Sequence, residues 1–61
     1  HGGTETIYML EGAMDYRHGD KLYRLTAGDS LQFDAGTPHG PEASEDRTVQ
    51  YLSIISAPQN N

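Results

Sequence analysis

Apolar runs in this chain are short, and each is stopped by a turn signal before a helical period develops. Glu11-Gly12, His18-Gly19-Asp20, Ala27-Gly28-Asp29 and the Gly- and Pro-bearing stretch 34–41 interrupt segments in which apolar and polar residues alternate. Alternation with a period of two is the mark of a half-buried strand. Helix starts, in which a capping residue precedes apolar residues spaced by three and four, are missing. The pattern therefore predicts an all-β chain with five strands, at 4–10, 13–17, 21–25, 30–33 and 48–56. The second and third form a hairpin around Gly19, which is able to take positive φ. Residues 34–41 read as irregular and 42–47 as an acidic, solvated connection. Several short strands with regularly spaced turns indicate a sandwich or barrel. Leu31, Phe33 and one face of 48–56 are expected inside, against Ile7 and Met9.

Length and charge narrow the function classes. A chain of 61 residues is one domain at most, and a domain of that size buries only about 60% of its unfolded surface. It has no cysteine, so neither a disulfide nor a cysteine-based zinc site is available. Small domains without such staples borrow core from a partner or belong to something larger. The chain opens on His1 rather than methionine, which leads us to expect a fragment. A homodimer is expected because open strand edges seek partners. The net charge of −5 and the lack of a basic cluster argue against contact with nucleic-acid phosphates or an anionic membrane. No apolar run approaches the roughly 18 residues of a membrane span. The lack of cysteine agrees with a cytoplasmic location.

Two stretches carry the chemistry. As a strand, the first twelve residues place His1, Gly3, Glu5, Ile7 and Met9 on one face. A histidine and a carboxylate then share a side with apolar groups, which calls for metal ligation or a hydrogen-bonded ligand pocket. The second stretch, 28–40, carries His39 behind Pro38, whose fixed φ stiffens the approach. Tyr8, Met9, Phe33 and Tyr51 are candidate ligand-lining residues, with ordinary core as the plainer reading. His18 reads as a solvated turn residue. Asp34 reads as a turn cap or as an acceptor for a ligand histidine. Arg17, Lys21 and Arg24 surround one hairpin, either to pair with acids or to hold an anion. Gly-x-Ser-x-Gly, a phosphate loop and a dinucleotide fingerprint are all missing.

These two stretches resemble the paired motifs of the cupin superfamily. His1, Glu5 after three residues and Gly12 after six more match the later part of the first motif. Gly28, Gly36 and His39 match the second, with Asp34 where the family has proline and Ala43 where it has asparagine. The wording of Ile7 to Gly12 and of Leu25 to Gly40 is similar to the C-terminal, effector-sensing cupin of bacterial transcriptional regulators with an Xre-type helix-turn-helix. The resemblance implies a cupin-type jelly-roll β-barrel, incomplete at its N-terminus, over residues 1–56, followed by a tail at 57–61. It implies His1, Glu5 and His39 as metal ligands. Two imidazoles and a carboxylate suit Fe, Mn, Ni or Zn. The leading expectation is a sensing domain for a small-molecule effector, with or without a metal, rather than an enzyme. The alternatives are a metal-dependent dioxygenase or isomerase acting on a small-molecule substrate, and a binding or structural cupin without chemistry.

Overall fold

The computed structural model describes residues 3–43 and 48–57. They form six strands and no helix: β1 Thr4–Glu11, β2 Ala13–His18, β3 Lys21–Thr26, β4 Ser30–Asp34, β5 His39–Ala43 and β6 Gln50–Ser56. Two antiparallel sheets result, with strand orders β4-β1-β6 and β3-β2-β5. The all-β expectation holds, and six strands in two sheets form part of an eight-stranded jelly roll. No helix among the described residues is long and apolar enough to cross a membrane.

The sixth strand is a correction. The sequence reads as irregular chain through Pro41 and as acidic connection from Glu42, but His39–Ala43 pairs with β2, opposing His18 to His39 and Tyr16 to Pro41. Proline is tolerated there because β5 is the edge of its sheet. The Arg17 guanidinium holds this edge by a two-pronged contact with the Glu42 carboxylate. The Arg17 guanidinium also holds the Glu42 carboxyl below its usual range, through the hydrogen bond first and charge second.

Alternation decides the core. Glu5, Ile7 and Met9 of β1 and Phe33 of β4 face Met14 and Tyr16 of β2 and Leu25 of β3, and all seven are buried. Leu31 and Val49 pack against this cluster at its margin. Burying each large apolar side chain contributes about 1.5–3 kcal/mol, and these residues form the core between the two sheets. Gly12 takes φ +82° at the corner where β1 of one sheet passes to β2 of the other, a conformation that favours glycine. The next turn, at residues 27–29, is laced to β1 by Gly28 N–H to the Met9 carbonyl and Met9 N–H to the Asp29 carbonyl, both 2.9 Å.

The burial of β6 is a second correction. It pairs with β1, Ile7 opposite Ser53 and Met9 opposite Tyr51, yet every residue along it is exposed, against the expectation of one face inside. It lies at the sheet edge, and no strand of the other sheet covers its inner face to the extent that β1 and β4 are covered. Gly3 abuts its end. A Cβ on Gly3 would stand 2.1 Å from the Ser56 carbonyl oxygen, and its φ is +135°.

Candidate functional site

Glu5 is the second residue of β1 and lies between Phe33 on β4 and Ile55 on β6. Only 7% of it is exposed. A buried carboxylate needs partners, and it has one from each sheet. Ser53 is the register partner of Ile7, so it stands diagonally from Glu5 on the same face, within reach of a long side chain. Its hydroxyl donates to Oε2 at 2.6 Å. His39, from the facing sheet, brings Nε2 to 2.9 Å from Oε1. Its Nδ1 lies 2.7 Å from the Thr37 carbonyl oxygen. A carbonyl can only accept, so Nδ1 carries the hydrogen, and a neutral ring then turns a lone pair toward the carboxylate. Two lone pairs at this distance repel. A positive centre therefore belongs between them, either a proton shared by the pair or a metal ion.

The spacing is that of an ordinary hydrogen bond, and it is one that two neighbouring metal donors can also take. First-row divalent metals bind imidazole nitrogen and carboxylate oxygen at about 2.0–2.2 Å, so adjacent donors at right angles lie about 3 Å apart. Glu5 and His39 have the donor chemistry and the separation of two such neighbours. No group of three His, Cys, Asp or Glu residues suited to a metal occurs among the described residues. His1, the other expected ligand, lies outside the described residues. A metal held by Glu5 and His39 would supply a fixed positive charge at the mouth of the core.

Aromatic rings wall the pair. Phe33 touches His39 and His18, each with centroids 4.9 Å apart, and Tyr16 at 5.5 Å. Tyr16 stacks toward His39 at 6.4 Å. Burial, then the Glu5 charge, then Tyr51, push the Tyr16 hydroxyl up to about 12, so it stays a protonated donor. His18 is not a solvated turn residue. It ends β2, is half-buried, and its Nε2 lies 3.1 Å from the Asp34 carbonyl oxygen. Extending the alternation of Met14 and Tyr16 by one step places it on this inner face. Ser53 carried no sequence signal, because nothing local marks a serine as the partner of a distant carboxylate.

The expected lining residues divide. Phe33 lies in the core directly opposite Glu5, Met9 lies in the core two inward positions further along β1, and Tyr51, opposite Met9, shares that face at the open flank. Tyr8 is not brought to the site: it alternates with Ile7 and Met9, so it faces the opposite side of the sheet and is exposed. Asp34 caps its own turn, its Oδ1 accepting from Gly36 N–H at 3.0 Å. Arg17 and Arg24 pair with Glu42 and Asp15, which spends two of the hairpin cations on acids rather than on an anionic ligand.

A family model described as a cupin domain matches residues 1–55. No curated protein matches the chain, and no solved structure does. The match covers nearly all of the chain, including both strands that carry Glu5 and His39, so this protein belongs to the cupin family.

Proposed function

We infer that this chain is the small-molecule-sensing cupin domain of a bacterial transcriptional regulator of the helix-turn-helix type, with the Glu5–His39 pair as the seat of its ligand or metal. The observation that carries this reading is the imidazole nitrogen facing a buried carboxylate oxygen at 2.9 Å. That gap holds a positive centre, so exchange of a proton for a divalent ion, or for a cationic group of an effector, alters the bond that joins the two sheets. Binding is favoured over turnover because both carboxylate oxygens are already engaged, one by Ser53 and one by His39. The net charge of −5 leaves DNA contact to a domain outside this chain. The similarity to regulator cupins in Ile7 to Gly12 and Leu25 to Gly40 supports the sensing role.

The test is a thermal-shift titration with Mn, Fe, Ni and Zn salts, accompanied by elemental analysis of chain purified without chelator. A ligand at a hundredfold excess over its Kd raises stability by about 2.7 kcal/mol. One of these metals should raise the melting temperature and be retained. Both effects should vanish in Glu5→Gln, which keeps the side-chain volume but removes the anionic donor. Retention unchanged by Glu5→Gln would place any metal elsewhere and overturn the assignment.

A further inference from the structure

Most polar groups around the Glu5–His39 pair are already engaged. Glu5 Oε2 is taken by Ser53 and Oε1 by His39. His39 Nδ1 faces the Thr37 carbonyl, and His18 Nε2 faces the Asp34 carbonyl. Tyr16 is different. Its ring lies against Phe33 and His39, with centroids 5.5 and 6.4 Å away, and only 2% of the residue is exposed. Yet its hydroxyl makes no hydrogen bond among the described residues.

No buried side-chain nitrogen or oxygen among the described residues lacks a partner. The Tyr16 oxygen has no such partner, so it is one of the few atoms of the residue that meet solvent. Glu5 and Tyr51 both lie near enough to act on it. They share the inner face of β1 and β6, so the hydroxyl is set toward the pair and the open flank. A phenol is protonated at neutral pH and donates one hydrogen. Water takes that hydrogen in the free protein, and a ligand can displace the water without opening the core.

We propose that Tyr16 is a ligand-positioning residue and that the site takes a small carboxylate. One carboxylate oxygen accepts the Tyr16 hydrogen, and the negative charge lies beside the positive centre shared by Glu5 and His39. The proposal rests on that pair being the seat of the ligand. The free group sets the class. Tyr16 offers a hydrogen, so its partner is an acceptor, and an ionised acceptor makes the shorter and stronger bond. A chain of net charge −5 admits an anion where a local positive charge offsets the repulsion, and the pair supplies that charge.

Tyrosine ultraviolet difference spectroscopy on the chain, with sodium acetate as the probe, tests it. The chain has no tryptophan and four tyrosines, so a phenol that begins to donate to an anion is visible as a red shift. Acetate in the millimolar range should give a saturable red shift. Methylammonium chloride at equal ionic strength, which offers no carboxylate, should give none. Tyr16→Phe should remove the shift and weaken acetate binding, followed by calorimetry, about 10- to 150-fold. Tyr8→Phe, on the outer face, should change neither. Acetate binding that falls in Glu5→Gln but not in Tyr16→Phe would overturn this proposal and leave the sensing reading standing. Binding that falls in Tyr16→Phe but not in Glu5→Gln would overturn the seat at the pair, and the proposal with it. The lack of an acetate-dependent shift in the wild type would also overturn it. If Tyr16→Phe fails to fold, the contrast between acetate and methylammonium in the wild type decides alone.

Discussion

Replacing Ser53 with alanine removes the hydroxyl that donates to Glu5 Oε2 at 2.6 Å. The carboxylate is 7% exposed, so water replaces that donor poorly. A hydrogen bond to a charged group contributes about 1.5–3 kcal/mol, against about 0.5–1.5 kcal/mol for a neutral one. In a domain of 60–100 residues, 1 kcal/mol shifts the melting temperature by roughly 4–8 °C. Ser53→Ala should therefore lower it by roughly 6–24 °C. Glu5→Gln supplies the control. Its carbonyl oxygen still accepts from Ser53, and its amide donates to the His39 Nε2 lone pair, which meets every polar demand of the site with neutral groups. Glu5→Gln alone should alter stability by less than about 1 kcal/mol. In that background Ser53→Ala should lose only the neutral bond, leaving a coupling of about 1 kcal/mol in the double-mutant cycle. Urea denaturation of the four proteins, with constant m-values, gives the numbers. A zero coupling, or a Ser53→Ala variant as stable as wild type, would refute the view that this bond holds the carboxylate in place.

Two further outcomes follow from the packing. Tyr16 ionises near 12 in the folded chain, raised from 10.0 by burial, then by Glu5 and Tyr51; its contribution is complete below pH 10 and is lost as pH climbs toward 12. An absorbance titration should show one of the four tyrosines ionising late, and Tyr16→Phe should remove that step. Gly3→Ala should destabilise by about 2 kcal/mol or more, because its Cβ would meet the Ser56 carbonyl at 2.1 Å and its φ suits glycine; a urea midpoint equal to wild type would show that the chain end moves aside without cost.

Alternation along the chain was enough to establish an all-β protein, to put Glu5 on the same face as Ile7 and Met9, and to locate the turns at Gly19 and Gly28. Those are consequences of the period of two and of turn chemistry, which act over a few residues. The same rule read one step further would have turned His18 inward and Tyr8 outward, both of which the structure shows. What alternation does not contain is the covering of each face. Strand β6 has the composition of a buried strand and is exposed along its length, because burial depends on whether a second sheet lies above it. Residues 39–43 lack the β-rich wording of a strand and still form one, because β2 offers them a free edge. Ser53 became the partner of Glu5 through the register of β1 with β6, and His39 reached the same carboxylate from the facing sheet. Contacts between strands distant in the chain are set by the stacking of the two sheets, so only the tertiary structure could assemble this site.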